Sequence, residues 1–311
     1  MTSETKTDAS PASGGSLSVK ALVLRTLLTV LSRLPLPVLH ATGAAMGWGF
    51  FLIPNRRRHV AKTNLTLCFP EMDQGARRRL LRETLVEFGK SLLETATLWT
   101  KHPAKIRQLV KQVIGQEQLR AAMAEGKGVI LAIPHLGAWE MVGLYCPSLH
   151  PFTALYRPPR VAELDELMRS ARQRLGARLM PANISGIRAL YRALRRGELV
   201  GILPDQVPNE DHNVVYAPFF GIAAKTMVLL VKLARQTGAP VVFTWAERLP
   251  RGRGYRVVFN KAPPGIESGD LQAAASVINR EIEREVRELP QQYQWCYKRF
   301  RRRPPGERRF Y

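Results

Sequence analysis

The second half of the chain alternates short apolar runs with longer amphipathic segments, beginning near residue 126. Short aliphatic runs between turn residues are typical of buried strands, and apolar positions at helical spacing are typical of helices. The pattern predicts strands at 128–133, 152–156, 177–180, 199–203, 240–246 and 255–260. It predicts helices at 137–145, 161–174, 184–196, 225–237 and 271–289. This alternation predicts an α/β fold with a central, mostly parallel β-sheet flanked by helices.

The amino-terminal region has a different pattern. Residues 1–16 are polar and rich in Ser, Thr, Gly and Pro, which predicts disorder. Residues 17–54 are largely apolar, but arginines and prolines interrupt them, so neither half is a clean membrane span of about 20 apolar residues. The cluster Asn55-Arg-Arg-Arg58 follows directly and is typical of the cytoplasmic, anionic side of a membrane. We expect 17–54 to anchor the protein in a membrane or to embed in its interface; the alternative is a pair of core helices.

The remaining residues, 55–311, are expected to form one domain. Within it, 55–125 has helical spacing of its apolar positions, 126–290 carries the alternating pattern of an α/β core, and 291–311 is a basic carboxyl-terminal tail. No internal repeat is visible.

The net charge of the chain limits the kinds of partner that it can bind. Its 47 Lys and Arg against 25 Asp and Glu give a net charge of +22, a field that attracts nucleic acid, anionic lipid or an acidic protein. No zinc-finger or RRM-type signature is present, and the arginines cluster beside apolar segments. The pattern therefore favours a membrane surface over nucleic acid.

The cysteines and histidines argue against a metal centre. Cys68, Cys146 and Cys296 are far apart and form no CxxC pair, so neither a zinc ribbon nor a disulfide framework is indicated, and a reducing compartment is expected. The six histidines include no HExxH or paired spacing, so no metal is expected.

A histidine and a carboxylate follow the first predicted strand. His135 comes directly after 128–133, and Gly137 introduces a turn toward the helix that begins near Glu140. A histidine with a carboxylate in reach can act as a general base. The alternative is a core histidine with satisfied hydrogen bonds and an exposed helical glutamate.

Two further predicted strands end in polar residues. Arg157 follows 152–156, and Asp205 follows 199–203. Ligands of open α/β sheets bind at the carboxyl ends of the strands. There Arg157 could bind a phosphate group, and Asp205 could orient the arginine or bind substrate hydroxyls. A surface arginine and a turn-capping aspartate are the alternatives.

The segment Phe219-Phe-Gly221 precedes Ala224-Lys-Thr226 at the start of the predicted helix 225–237. It lacks the glycines of a Walker A loop, so nucleotide binding is rejected. Thr226 is predicted to cap the helix, whose amino end could hold an anion. Gly221 and Thr226, with Gly137, join the expected substrate-binding residues.

Seven blocks of the chain occur in the order found in one known family. His135-x4-Glu140 looks like the H-x4-D/E motif of the glycerolipid and lysophospholipid acyltransferase superfamily, and the chain resembles the late acyltransferases of lipid A biosynthesis. The blocks are Asn64-Leu-Thr-Leu-Cys-Phe-Pro-Glu71, Pro134-His-Leu-Gly-Ala-Trp-Glu140, Tyr156-Arg-Pro158, Pro204-Asp-Gln206, Phe219-Phe-Gly221, Leu233-Ala-Arg-Gln-Thr-Gly238 and Gln292-Tyr-Gln-Trp-Cys-Tyr-Lys-Arg-Phe300. The similarity covers about residues 20 to 305.

This resemblance implies a bacterial inner-membrane enzyme whose catalytic domain faces the cytoplasm. It implies transfer of a fatty acyl chain from acyl carrier protein to a hydroxyl of a lipid A precursor of the Kdo-lipid A type, without a cofactor. Partners would be the acidic carrier protein and anionic membrane lipid, which suit the basic surface. Residues 55–311 would then be the acyltransferase domain.

The mechanism expected from this resemblance is direct acyl transfer without an acyl-enzyme. His135, oriented by Glu140, would act as general base, and amides near Gly137 would stabilise the oxyanion. Two alternatives stay open at this point: an acyl-CoA-dependent glycolipid or lysophospholipid acyltransferase of the same superfamily, and a non-catalytic basic protein that binds membrane or nucleic acid.

Overall fold

The computed structural model describes residues 19–158, 165–208 and 211–311. The predicted disorder of 1–16 and the first part of the helix predicted at 161–174 lie outside the described residues.

Five helices form the amino-terminal part of the described chain. They are α1 (Val19–Arg33), α2 (Leu36–Leu52), α3 (Arg56–Cys68), α4 (Gln74–Thr100) and α5 (Pro103–Gln108). Side chains mark two of the starts: Asn55 accepts a hydrogen bond from the Arg58 amide at 3.0 Å, and Asp73 accepts one from the Ala76 amide at 2.8 Å.

Helices α1 and α2 are both apolar, but they differ in how closely they pack on α4. Glycines at the crossing bring α2 backbone to backbone with α4: a Cβ added to Gly43 would lie 2.7 Å from the Gly89 carbonyl oxygen. Helix α1 also packs on α4, but it leaves Leu22, Val23 and Leu27 more than half exposed. The predicted apolar segment is thus helical, and both helices pack on α4, while α1 carries an open apolar face.

No one helix in the described ranges has both the length and the apolar composition to cross a membrane. The stretches Leu22–Arg33 and Leu36–Leu52 satisfy that test only when taken together, and they bend by 120° at the break between them. Pro35 and Pro37 account for the break, since proline cannot continue a helix.

A seven-stranded sheet with strand order β1-β9-β8-β2-β5-β3-β4 forms the centre of the domain. The strands among the described residues are β1 (Val110–Ile114), β2 (Val129–Ala132), β3 (Phe152–Tyr156), β4 (Ala177–Pro181), β5 (Leu199–Ile202), β6 (Val214–Phe219), β7 (Ile222–Met227), β8 (Val241–Arg248) and β9 (Tyr255–Lys261). Strands β8, β2, β5, β3 and β4 are parallel to one another, while β9 is antiparallel to β8 and β1 is parallel to β9. Strands β6 and β7 form a separate hairpin. The predicted α/β fold with a mostly parallel sheet is confirmed.

Helices cover both faces of the sheet. They are α6 (Gln116–Ala124), α7 (Trp139–Tyr145), α8 (Asp165–Arg174), α9 (Ile184–Arg195), α10 (Leu229–Thr237) and α11 (Leu271–Glu288). Strand β2 is fully buried and alternates between two cores, because Ile130 packs in one hydrophobic cluster and Leu131 in the other. An all-buried central strand is typical of parallel sheets.

Strands β1, β6 and β7 were not predicted, and they change two segments that were predicted to be helical. Strand β1 lies inside the segment 55–125 that the pattern predicts to be helical, because it is a half-exposed edge strand that pairs only with β9. The helix predicted at 225–237 begins instead at Leu229, since 222–227 pairs with β6 as strand β7. Strand β1 pairs with a strand that is distant in sequence, and the segment of β6 and β7 lacks clear apolar alternation.

Candidate functional site

His135 and Asp205 meet at one edge of the sheet. Strands β2 and β5 are neighbours in parallel register, with Ala132 opposite Ile202, so the loops that follow them begin side by side. Asp205 Oδ1 lies 2.7 Å from His135 Nδ1, and Asp205 Oδ2 accepts a hydrogen bond from the His135 amide at 2.8 Å. Both side chains are buried, at 5% and 2% exposure. The predicted placement of His135 and Asp205 at the carboxyl ends of strands is confirmed, and the pairing of β2 with β5 makes these two ends neighbours.

The charge of Asp205 determines which nitrogen of the histidine carries hydrogen. Burial acts to raise the pKa of Asp205, but the pairing with His135 and the positive charge of Arg299 outweigh it and hold the pKa below its usual 3.8. An ionised carboxylate only accepts hydrogen bonds, so His135 Nδ1 donates and Nε2 is left as the acceptor. Gln206 Nε2 lies 2.8 Å from that acceptor, where a substrate hydroxyl would have to replace it.

Glu140 lies in the first turn of α7 and has other partners. Its carboxylate accepts hydrogen bonds from Arg172 on α8, and from the Trp99 indole nitrogen at 3.4 Å. Both ring nitrogens of His135 face Asp205 and Gln206, so the contact predicted between His135 and Glu140 is replaced by the one with Asp205. The spacing H-x4-E does not determine this, because the turn between the two residues sets the direction of the helix.

That turn, residues 133–138, is named the Gly137 turn below. Gly137 has a φ of +61°, and a Cβ at this position would lie 2.1 Å from the Ala246 carbonyl oxygen. The Gly137 amide donates to Gln292 O at 3.0 Å, and the Ala138 amide donates to Ala246 O at 2.7 Å. Both amides were predicted to stabilise the oxyanion. In the structure they donate to backbone carbonyls instead, because buried amides next to β8 need hydrogen-bond partners within the fold.

A buried ion pair supports the Gly137 turn from behind. Arg248 Nη2 donates to Gly137 O at 3.0 Å and to Glu94 Oε1 at 2.6 Å. His40 Nε2 and the Tyr255 hydroxyl lie 3.2 and 3.0 Å from Glu94 Oε2. Burial acts to raise the pKa of Glu94, but the charge of Arg248 lowers it to about 2. This network connects α2 and α4 with the turn that carries His135.

The basic tail predicted at 291–311 covers the other side of the site. The Gln294 amide donates to His135 O at 3.1 Å, and Asn64 Nδ2 on α3 donates to Trp295 O at 2.7 Å. Arg299 is 2% exposed and contributes positive charge next to Asp205. The small cleft at His135 is lined by Asn64, Asp205, Gln206, Tyr293, Gln294, Trp295, Tyr297 and Arg299.

Sequence reasoning gave no role to Gln206, Asn64 or the side chains of 292–300. Their only signal was their position in the blocks that carry the family resemblance, and local periodicity has no feature that points to them.

Thr226, Gly221 and Arg157 lie in different surroundings. Thr226 is a buried residue of β7 rather than a helix cap: its hydroxyl accepts a hydrogen bond from Arg299 Nη2 at 3.0 Å, while α10 begins after Val228 without a side-chain cap. Gly221 lies in the β6–β7 hairpin turn with a φ of +73°. Arg157 is exposed directly after β3, at the same sheet edge as His135. Of the predicted site residues, the structure therefore brings Asp205 into contact with His135, whereas Thr226 holds the Arg299 side chain.

Comparisons with known proteins agree with one another. The sequence model of the family described as "Bacterial lipid A biosynthesis acyltransferase" matches residues 19–302. The lipid A biosynthesis lauroyltransferase of Escherichia coli K12 is 28% identical over 281 residues, and the palmitoleoyltransferase of that strain is 30% identical over 281 residues. Each of these alignments covers 90% of this chain and 90% of the relative. The phosphatidylinositol mannoside acyltransferase of Mycobacterium tuberculosis is 29% identical over 208 residues, covering 64% of this chain and 63% of the relative.

Proposed function

Because the chain belongs to the family of bacterial lipid A biosynthesis acyltransferases and is an O-acyltransferase, we propose that it transfers a fatty acyl chain from acyl carrier protein to a hydroxyl of a lipid A precursor. The observation that carries the chemistry is the buried contact of 2.7 Å between His135 Nδ1 and Asp205 Oδ1 at the carboxyl ends of two parallel strands. A histidine held in this way has one nitrogen available to accept a proton.

In the proposed mechanism, His135 Nε2 removes the proton from the acceptor hydroxyl as its oxygen attacks the thioester carbonyl carbon. Asp205 holds the ring in the required tautomer and stabilises the imidazolium that forms. The tetrahedral intermediate then collapses, the carbon–sulfur bond breaks, and the imidazolium returns its proton to the thiolate that leaves. A positioned base of this kind contributes about 10²–10⁴-fold to the rate.

Arg157 keeps its predicted role as part of this proposal, whereas Glu140 takes a different one from the orientation of His135 that the sequence predicted. Arg157 would bind an anionic group of donor or acceptor at the sheet edge. Glu140 is proposed to position the Trp139 ring beside the base. Its ion pair with Arg172 fixes the start of α7, where the Trp139 ring lies 5.0 Å from the His135 ring.

The site of action proposed is the cytoplasmic face of the inner membrane. Family membership implies a membrane-associated enzyme, and three features support the orientation. Helix α1 has an open apolar face, the end of α2 exposes Leu52 and Ile53 by about two thirds, and the arginines of Asn55-Arg-Arg-Arg58 follow. An apolar face beside a basic cluster is what an anionic membrane surface binds. Electrostatic attraction of the net charge of +22 for an acidic carrier protein fits the same location.

The test uses the purified full chain in detergent with acyl carrier protein thioester and lipid A precursor. His135→Ala and Asp205→Asn are expected to reduce transfer by at least about 10²-fold. His150→Ala is the matched control, since His150 is exposed in the loop before β3 and away from the cleft. Near-normal transfer by His135→Ala would overturn the proposal.

A second acceptor class is supported by one relative. The mycobacterial protein is named a phosphatidylinositol mannoside acyltransferase, which favours a glycolipid as the alternative acceptor. An acyl-CoA donor is the alternative that the sequence left open. Assays with each donor and each acceptor separate the two possibilities. Mass spectrometry of lipid A from a deletion strain would then identify the acyl chain, and a mass unchanged from wild type would count against lipid A as the acceptor.

A further inference from the structure

The last twelve residues fold back on the domain as a closed loop. The Tyr311 hydroxyl donates to Asn64 Oδ1, and the Phe300 amide lies 3.4 Å from the same hydroxyl. The Phe310 ring packs 6.2 Å from the Phe300 ring. Residues 300–311 are therefore tied at both ends and are named the arginine loop here.

The arginine loop lines a cavity of about 480 Å³ that is half open to solvent. Four arginines and one glutamate supply all the charged groups in its wall, so the cavity is strongly positive. Its lining residues are Arg301, Arg302, Arg303, Pro304, Pro305, Gly306, Glu307 and Arg309. Sites for small ligands have volumes of about 300–1,000 Å³, so this space suits a small anionic group rather than a protein surface.

Two of these guanidinium groups are held in place before any ligand binds. Arg303 is 90% buried: it donates to Ala223 O and to Glu307, and its guanidinium carbon lies 4.6 Å from the centre of the Phe310 ring. Its Nε is buried without an acceptor among the described residues. Arg301 Nη2 donates to Val207 O at 2.9 Å. Arg302 and Arg309 are exposed at the rim and can turn toward a bound anion.

The cavity is next to the cleft at His135. Val207, which accepts from Arg301, is two residues after Asp205, and its amide donates to the Tyr297 hydroxyl at 2.9 Å. Tyr297 lines the His135 cleft. The arginine loop and the His135 cleft are therefore connected through Val207 and Tyr297.

We propose that the arginine loop binds a phosphate monoester carried by the acceptor. The inference rests on the proposed function, and it requires an acceptor sugar with a phosphate group, which would lie in this cavity. A phosphate monoester presents up to two charges and three acceptor oxygens, which paired arginines bind through bidentate hydrogen bonds. The phosphodiester of a carrier-protein thioester has a single charge and two free oxygens, so it offers the arginines less than a monoester does.

The kinetic test uses the double variant Arg302→Gln/Arg309→Gln, because both side chains are exposed and their loss leaves the buried contacts of the loop intact. We expect the KM for phosphorylated acceptor to rise about tenfold or more, the effect of losing charge-assisted hydrogen bonds. The KM for the acyl donor should change less than twofold. Activity with dephosphorylated acceptor should be equal for variant and wild type.

The matched control removes the same two charges elsewhere. Arg192→Gln/Arg195→Gln alters exposed arginines on α9 and should leave the acceptor KM unchanged. If this control raises the acceptor KM as much as the loop variant, the effect is one of net charge and the inference is wrong. A rise in the donor KM alone, or an equal loss with dephosphorylated acceptor, overturns it as well.

A binding measurement separates this inference from the proposed function. Line broadening of the ³¹P signal of glucosamine 1-phosphate is expected with the wild-type full chain and is expected to be lost in the loop variant, with or without acyl transfer. If the wild-type chain acylates lipid A precursor but both proteins broaden the signal equally, the proposed function stands and the phosphate site is refuted. If the wild-type chain broadens the signal and transfers no acyl group to lipid A precursor, the reverse holds.

Discussion

Replacing Glu94 with glutamine removes one charge from the ion pair that is buried behind the Gly137 turn. Glu94 and Arg248 are 2% and 4% exposed, and Arg248 also donates to the Gly137 carbonyl. A neutral side chain at position 94 leaves the buried guanidinium with only the more distant carboxylate of Glu87, whose Oε2 lies 3.8 Å from Arg248 Nη1. We expect loss of folding free energy and displacement of the turn that carries His135.

The pKa of Glu94 sets the size of the effect. It is lowered from 4.5 to about 2, and each pKa unit corresponds to about 1.4 kcal/mol, so the ionised form contributes about 3 kcal/mol to folding at neutral pH. Breaking a buried pair by removing one partner costs a similar amount, about 3–5 kcal/mol. Because the pKa is depressed in the folded state, this contribution is complete above pH 4.5 and is lost as the pH falls toward 2.

The assay is urea unfolding of the full chain in detergent at pH 7, with acyl transfer measured on the same samples. Glu94→Gln should lose about 3 kcal/mol, whereas the double variant Glu94→Leu/Arg248→Met should lose less, because no unpaired charge is left buried. Glu288→Gln is the matched control: its ion pair with Arg284 is exposed, and its loss should cost less than about 1 kcal/mol. Equal costs for Glu94→Gln and Glu288→Gln would refute the reasoning.

Three further predictions concern Asp205, two glycine turns and the cysteines. Asp205→Asn should lower kcat by at least about 10²-fold with little change in the acceptor KM, because the carboxylate that fixes the histidine tautomer is lost while the substrate contacts remain. Steady-state kinetics check this. Gly137→Ala should lower both the melting temperature and activity, because the new Cβ meets the Ala246 carbonyl at 2.1 Å. Gly221→Ala has a similar φ but no atom within 4 Å, so it should cost only about 1 kcal/mol and retain activity. The three cysteines have pKa values raised by burial, so iodoacetamide at pH 8 should leave the native enzyme active, and rapid inactivation would contradict this.

Local pattern predicted the elements whose neighbours are strongly apolar. Strand β2 is buried on both faces, so its apolar run at 129–132 identified it, and the helix predicted at 271–289 is found at Leu271–Glu288. The hairpin β6–β7 was missed because Pro218 and Lys225 interrupt its alternation, and Lys225 is buried only through contacts with other parts of the fold. The membrane role of α1 and α2 stays a prediction.

The amino-acid sequence by itself determined the α/β class, the position of His135 after a buried strand, and a family resemblance that the comparisons confirm. Only the tertiary structure decided which carboxylate orients the histidine. Glu140 is five residues away along the chain, but the left-handed turn at Gly137 places it against Arg172; Asp205 is 70 residues away and meets the ring because β5 pairs with β2. Spacing along the chain limits local geometry, whereas the order of strands in a sheet depends on long-range packing that no short pattern records.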